Sequence, residues 1–138
     1  MQIYQLNKIL IKNNIVVDLS NILHLNSKYK KPLEIKKFYN LDNILKNEGF
    51  NPIYIADATL RYKIDNRTEF EKLVSKNIIN LAPAHRTADV FILKYAKKFD
   101  CFILSNDKFS EYYDKYDKNW IDKKRITVMY INNNFVIE

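Results

Sequence analysis

The sequence predicts a three-layer α/β/α sandwich with a mainly parallel central sheet. Short runs of apolar residues without polar interruptions, such as residues 15–17 and 102–104, are typical of strands buried on both faces. Segments with apolar residues at helical spacing alternate with these runs, and strand–helix alternation favours parallel pairing. With 138 residues, of which 47% are hydrophobic and 28% charged, the chain is expected to form one globular domain over residues 1–138.

Five apolar runs along the chain are expected to form strands. They fall at residues 15–17, 53–56, 78–81, 101–104 and 126–131. Pro83 follows the third run and would end it, because proline cannot donate a hydrogen bond to a neighbouring strand. After the fifth run, three successive asparagines turn the chain into residues 135–137, which predicts a hairpin at the edge of the sheet.

Helices are expected between the strands, with ends marked by capping residues. They are predicted at residues 1–10, 33–46, 88–98 and 108–116, and after Thr68. Gly49 can close the helix over residues 33–46 in a left-handed conformation. Thr68 and Thr87 are candidate N-caps for the helices that follow them.

The composition argues against several classes of site and of location. The chain has only one glycine, so the glycine-rich loops that bind dinucleotides or nucleotide phosphates cannot form. It contains no CxxC or HExxH pattern, which argues against a zinc site. Its single cysteine, Cys101, excludes an internal disulfide and fits a reducing, cytoplasmic compartment. No apolar run approaches the ~20 residues of a membrane span, and the N-terminus lacks the pattern of a signal peptide.

The excess of positive charge points to a polyanionic partner. The formal net charge is +7, from 23 Lys and Arg against 16 Asp and Glu, which favours nucleic acid. A Lys-rich genome composition is the alternative source of this charge. Two segments concentrate the basic residues, with Lys28, Lys30 and Lys31 in one and Arg61, Lys63 and Arg67 in the other. They could hold phosphates while Tyr29 and Tyr62 stack on unpaired bases, or they could be solvated loops.

Three aspartates follow three of the predicted strands. Asp18, Asp57 and Asp107 come directly after a strand or within three residues of its end. Because the carboxyl ends of parallel strands share one edge of an open sheet, the topology places all three aspartates there. Asp89, in the first turn of the helix over residues 88–98, would join them. Clustered carboxylates repel one another and favour a hard divalent cation, Mg²⁺ or Mn²⁺, although a single aspartate after a strand is usually a turn or helix cap.

Several blocks of the sequence are similar to those of a known nuclease family. "VVDLSN" resembles the "DGSN" signature of the first strand in NYN-type members of the PIN-like nuclease superfamily, which includes the Regnase endoribonucleases and compact bacterial relatives. "ADVFILKYAKKFDCFILSNDKF" resembles the family's acidic helix start followed by a strand that ends in Ser/Thr-Asn-Asp. "IYIADATLRYKID" and "ITVMYINNNFVI" resemble its second strand and its terminal hairpin. The resemblance extends from about Ile15 to the end and implies a PIN-like strand order of about 3-2-1-4-5.

The resemblance also implies roles for individual residues. The catalytic residues would be Asp18, Asn21, Asp89 and Asp107, and the metal ligands would be Asp18, Asp89, Asp107 and Glu111. Asn21 would orient Asp18 or a bound water, and Ser105 and Asn106 would shape the loop around the site. By the resemblance, Arg61 and Arg86 would contact RNA phosphate; the further candidate RNA-binding residues, from the basic segments themselves, are Lys28, Lys30, Lys31 and Lys63. The chain departs from the family pattern at Leu19, where relatives have glycine, at Ala88, where many have a second acid, and at Glu111, where several have aspartate.

The first hypothesis is therefore a hydrolase, a Mg²⁺- or Mn²⁺-dependent endoribonuclease. By the resemblance, an activated water would cleave single-stranded or loop RNA and leave a 5′-phosphate. The alternatives are a catalytically weak or inactive RNA-binding module, favoured by Ala88, and the toxin component of a toxin–antitoxin pair. The partners expected besides RNA are a second copy of the chain or an antitoxin-like protein. The sequence leaves open the preferred RNA, the number of metal ions and whether Asp57 belongs to the site.

Overall fold

A computed structural model describes residues 13–138. Five strands form a parallel sheet in the order β3-β2-β1-β4-β5. They are β1 Asn13–Asp18, β2 Phe50–Ala56, β3 Ile79–Leu81, β4 Phe102–Leu104 and β5 Arg125–Ile126. This arrangement confirms the predicted sandwich and its strand order. β1 lies at the centre, where Asp18 pairs with Ile55 of β2 and Val17 pairs with Leu104 of β4.

Helices cover both faces of this sheet. They are α1 Leu19–Leu23, α2 Ile35–Asn47, α3 Arg67–Ser75, α4 Ala88–Phe99 and α5 Lys118–Lys124, with 3₁₀ helices at Ala58–Tyr62 and Ser110–Tyr112. The helix predicted over residues 1–10 lies outside the described residues. Gly49, with φ +89°, takes the predicted left-handed conformation after α2. Among residues 13–138, no helix is long and apolar enough to cross a membrane.

The alternation of side chains along the strands divides the core into two clusters. Ile15 and Val17 of β1 pack with residues of α2, α3 and the C-terminal hairpin on one face. Val16 and Ile103 pack with α4, α5 and Phe109 on the other face. Because successive strand residues point to opposite faces, residues 15–17 of β1 and residues 102–104 of β4 must be apolar at every position, as their sequences are.

The predicted C-terminal hairpin is confirmed, but its place relative to the main sheet differs from the sequence-based expectation. The predicted strand over residues 126–131 is broken at Thr127 into β5 and β6 Val128–Ile131. β6 pairs with β7 Asn134–Ile137 as a separate antiparallel ribbon instead of adding to the edge of the main sheet. Asn106, in the loop after β4, attaches this ribbon, because its side chain donates to Val128 O (2.7 Å) and accepts from Val128 N (2.9 Å).

Two predicted helix features are also wrong. Residues 108–116 form only a 3₁₀ turn, because Phe109 is buried in a left-handed conformation (φ 56°) that interrupts a helix. α3 begins one residue before Thr68, and its N-cap is Asn66, whose side chain accepts a hydrogen bond from Glu69 N at 3.1 Å. The helix thus uses the asparagine as its cap, and Thr68 lies within its first turn.

Candidate active site

The central strand delivers Asp18 directly into a helix. Asp18 ends β1, and Leu19 begins α1 in a helical conformation with a fully buried side chain. The position where the nuclease family has glycine therefore needs no left-handed backbone here. Leu19 contributes to the core while the chain turns away from the sheet, and Asp18 stays at the carboxyl edge.

Asp18 is buried and hydrogen-bonded at that edge. Its side chain is 4% exposed, and Ser105 Oγ donates a hydrogen bond to its Oδ2 at 2.8 Å. Burial raises the pKa of Asp18 to about 7, the Ser105 hydrogen bond opposes that rise, and the charges of Asp89 and Asp107 add to it. Asp18 therefore binds a proton more readily than an exposed aspartate does.

The loop after β4 is tied to β1 and α1 through side-chain hydrogen bonds. Ser105 Oγ also accepts from Asp107 N at 3.1 Å, and Asn21 Oδ1 accepts from Asn106 N at 3.1 Å. Asp107 Oδ1 accepts from Phe109 N at 2.8 Å, which closes a tight turn. These bonds place Asp18, Asn21 and Asp107 around one small region between β1 and β4.

Asp89 joins this region from the first turn of α4. Burial and, to a smaller extent, the charges of Asp107, Asp57 and Glu111 together raise the pKa of Asp89 to about 6. Glu111 lies in the exposed 3₁₀ helix that follows Asp107. Asp18, Asp89, Asp107 and Glu111 are called the acidic edge from here on. The mutual charge effects indicate that its members lie within electrostatic range of one another.

Asp57 performs a role that the sequence assigned to Thr87. Thr87 occupies the N-cap position of α4, but its side chain makes no capping hydrogen bond. Instead, Asp57 Oδ1 accepts from Ala88 N at 2.8 Å, across 31 positions of sequence. The main-chain N–H of Asp57 donates to Ser20 Oγ at 3.0 Å. Sequence reasoning did not identify Ser20, because nothing in the local pattern marks it as a partner of Asp57, the residue that follows β2.

The acidic edge suits a hard divalent cation in its chemistry but is not assembled as a ligand set. Asp18, Asp89 and Asp107 take part in none of the ion pairs with Lys or Arg found among residues 13–138. Carboxylates that lie near one another without a basic partner are oxygen donors of the type that Mg²⁺ and Mn²⁺ prefer. Within the same residues, however, no three His, Cys, Asp or Glu side chains are grouped closely enough to hold a metal ion. The metal ligands therefore stay a prediction.

The two basic segments lie side by side. Leu33 N donates to Lys63 O at 2.8 Å, and Asp65 N donates to Leu33 O at 2.8 Å. As a result, the loop before α2 and the segment after the first 3₁₀ helix line one cavity of about 470 Å³. Its charged and aromatic lining, which we call the basic cavity, consists of His24, Lys28, Lys30, Lys31, Tyr62 and Lys63.

The residues predicted to contact RNA differ in their solvent exposure and in the side chains that they already contact. Tyr29 and Tyr62 are 88% and 70% exposed, and Arg67 lies 4.7 Å from the ring centre of Tyr62. Arg61 binds the carboxylate of Glu71 through two hydrogen bonds of 2.9 and 3.2 Å. Arg86 lies over the ring of Phe91, 5.6 Å from its centre. The RNA contacts of Arg61 and Arg86 stay predictions, and Arg61 would have to exchange Glu71 for a phosphate.

Comparison with known proteins identifies one family and one type of fold. The family model for the Zc3h12a-like ribonuclease NYN domain matches residues 11–138. No curated protein matches the chain by sequence.

Among solved structures, two of nuclear protein-only RNase P 2 (PRORP2) from Arabidopsis thaliana are similar. One has a TM-score of 0.73 at 15% identity and covers 90% of this chain. The other has a TM-score of 0.71 at 15% identity and covers 92% of this chain. In both cases the match spans only 29% of the plant protein, so the likeness concerns the fold of one part of it.

Proposed function

Since the chain belongs to the Zc3h12a-like ribonuclease NYN domain family, we propose that it is a Mg²⁺- or Mn²⁺-dependent endoribonuclease for single-stranded or loop RNA. The observation that carries the proposal is the acidic edge. Asp18 and Asp89 have raised pKa values because they are buried and because neighbouring carboxylates repel their charge. Such an arrangement costs stability, and a bound cation would compensate for that cost.

The residues that would hold the cation are Asp18, Asp89 and Asp107, with Glu111 in an outer position. A divalent cation bound there would polarise a phosphoryl oxygen, lower the pKa of a water and stabilise the leaving oxygen. The protein supplies orientation. Ser105 fixes one oxygen of Asp18 through its hydroxyl, and Phe109 N fixes one oxygen of Asp107. The second oxygen of Asp107 thus stays available for other partners, whereas the charged form of Asp18 is also stabilised by the backbone of Asn21.

The basic cavity would bind the RNA chain. Lys28, Lys30, Lys31 and Lys63 are exposed and can neutralise phosphates, which gives affinity without sequence preference. Tyr62, in the same cavity, and the neighbouring Tyr29 are largely exposed, so unpaired bases can stack on the ring faces that Arg67 and Lys30 leave open. This combination of cations and exposed aromatic rings favours single strands over duplexes.

The test is cleavage of a fluorescently labelled single-stranded RNA by the wild type and by Asp107→Asn. The asparagine can still accept from Phe109 N, so the turn is expected to persist while the charge is lost. Turnover should fall about 1000-fold, because several kcal/mol of transition-state stabilisation disappear. EDTA should stop the wild-type reaction, and Mn²⁺ should restore it.

Asp122→Asn, on the exposed face of α5 and paired with Lys118, is the matched control and should retain full activity. Undiminished cleavage by Asp107→Asn would refute the proposal.

A non-catalytic RNA-binding module is the second candidate, because the first helical position of α4 is Ala88 instead of an acid. Ala88 is 2% exposed and its N–H is already used by Asp57, so an acidic side chain is not accommodated there without rearrangement. RNA binding that weakens with salt, without cleavage in Mg²⁺ or Mn²⁺, would select this alternative.

Further partners and the location of the chain belong to the same proposal. RNA is the proposed substrate, and a homodimer or an antitoxin-like protein that covers the acidic edge is compatible with it. Growth arrest on expression, relieved by a neighbouring gene product, would identify the toxin role. Cys101 is a free, buried thiol, which is consistent with the proposed cytoplasmic location.

A further inference from the structure

Asp57 connects three segments of the chain at the acidic edge. It follows β2, its Oδ1 accepts from the first N–H of α4, and its own N–H donates to Ser20 in α1. Each of these bonds joins residues that are more than 30 positions apart in sequence. The position of Asp57 is therefore fixed by the sheet and by α1, and not by the helix whose end it caps.

The cap supplied by Asp57 replaces one that α4 lacks locally. The first N–H groups of a helix have no partner within the helix, and a side chain at the N-cap usually accepts from one of them. Thr87 does not do so. The N–H of Ala88 belongs to a residue that is 2% exposed, so water is a poor substitute for the missing acceptor. A carboxylate at this position is also favoured by the helix dipole.

The capped residue is the immediate neighbour of Asp89. We propose that Asp57 is a positioning residue, which holds the first turn of α4 against the end of β2 and thereby fixes where Asp89 lies in the acidic edge. Its carboxylate acts through the Ala88 N–H and is not one of the metal ligands. The catalytic consequence rests on the proposed ribonuclease function, whereas the effect on the helix end does not.

The chain contains a matched control for this inference. Asp65 Oδ1 accepts from Ile35 N at 2.9 Å and so caps α2 from a distance of 30 positions. The N-cap residue of α2, Glu34, makes no side-chain capping bond, just as Thr87 makes none. The two devices differ in two respects. The first turn of α4 carries Asp89 whereas that of α2 carries no acidic residue, and the bond to Asp57 is partly buried whereas the bond to Asp65 is exposed.

The experiment compares Asp57→Ala, Asp57→Asn and Asp65→Ala in the full chain. Two quantities are measured: the steady-state kinetics of RNA cleavage in saturating Mn²⁺, and the amide hydrogen exchange of Ala88 and Ile35 by NMR. In Asp57→Ala, amide exchange at Ala88 should accelerate. Because a displaced Asp89 lowers turnover, kcat should fall about tenfold or more while KM stays within about twofold. Asp57→Asn keeps an acceptor oxygen, so it should restore slow exchange and bring kcat to within about threefold of the wild type. Asp65→Ala should accelerate exchange only at Ile35 and leave kcat unchanged.

Three results would overturn the inference. Unaltered exchange at Ala88 in Asp57→Ala would show that the cap does not hold the helix end, whether or not the protein cleaves RNA. Wild-type kcat in that variant would show that Asp89 needs no such support. An Asp57→Asn variant as inactive as Asp57→Ala would show that the charge of Asp57 is required, as for a ligand. If the wild type itself does not cleave RNA, the proposed function is wrong. The exchange data alone then decide whether Asp57 holds the start of α4.

Discussion

The acidic edge and the basic cavity are built in opposite ways. Asp18, which is buried, accepts a hydrogen bond from Ser105 Oγ, and Asp107, which is half-buried, accepts one from Phe109 N. The lysines of the basic cavity are exposed on loops. Rigid, partly desolvated carboxylates are suited to chemistry, which depends on position, whereas mobile surface cations are suited to capture of a polyanion. Substitutions in the acidic edge are therefore expected to change kcat and stability, and those in the basic cavity to change KM and salt dependence.

The largest effect is expected for Asp18→Asn, which removes the most deeply buried carboxyl group among residues 13–138. The folded pKa of about 7 lies above the ordinary value of 3.8, so folding favours the protonated form. The stabilising contribution is complete below pH 4 and is lost as the pH rises through 7. In EDTA at pH 8, the variant should be more stable than the wild type by about 1–3 kcal/mol, given about 1.4 kcal/mol per pKa unit and some relaxation of the cluster. At pH 5 the difference should be small.

Urea unfolding of both proteins at pH 5, 6.5 and 8 measures this difference. A shallow pH dependence should remain in Asp18→Asn, because the pKa of Asp89 is also raised, to about 6. The same variant should lose about 1000-fold in kcat, so that stability and activity change in opposite directions. Parallel stability curves for the two proteins would contradict the burial of an ionisable Asp18.

The sequence predicted the acidic edge because its placement depends on topology. Asp18 and Asp107 follow uninterrupted apolar runs, and parallel strands bring the ends of such runs to one edge whatever the loops between them do. The strand order was predicted only through the resemblance to a nuclease family, and the structure confirmed it. α5 was not predicted, since "KNWIDKK" has too few apolar residues to show helical spacing; Ile121 is its only buried residue.

Details that depend on contacts between distant segments could not be predicted. The left-handed Phe109 ends the helical pattern of residues 108–116, but phenylalanine gives no sign of that conformation. The bond from Ala88 to Asp57 and the pairing of Arg61 with Glu71 are formed only when β2, α3 and α4 pack together. Local patterns therefore located the acids but did not distinguish a ligand from a cap.

A smaller effect is expected for Ser105→Ala, which weakens the acidic edge without removing a charge. The Ser105 hydroxyl stabilises the ionised form of Asp18, so its loss should raise the pKa of Asp18 further. The acidic limb of the pH profile of kcat/KM should move to higher pH. Activity should fall about tenfold at pH 6.5 and less at pH 8.5. Ser75→Ala, at the exposed end of α3, is the control and should leave the profile unchanged. A uniform loss at every pH would indicate that Ser105 shapes the loop rather than the ionisation of Asp18.

The smallest effect is expected for the double substitution of Lys31 and Lys63 by alanine in the basic cavity. Both side chains are exposed, so kcat and the free energy of unfolding should change little, and KM should rise about three- to tenfold. The slope of log affinity against log salt should become shallower by about 0.7 for each phosphate contact that is lost.

The same net charge is removed in the double substitution of Lys76 and Lys123, which are exposed and lie outside the basic cavity. If both double variants raise KM equally, RNA is attracted by the overall charge of the protein. The basic cavity is then not a specific RNA-binding site. If only the first pair raises KM, and kcat stays constant, capture and chemistry are carried by separate parts of the molecule.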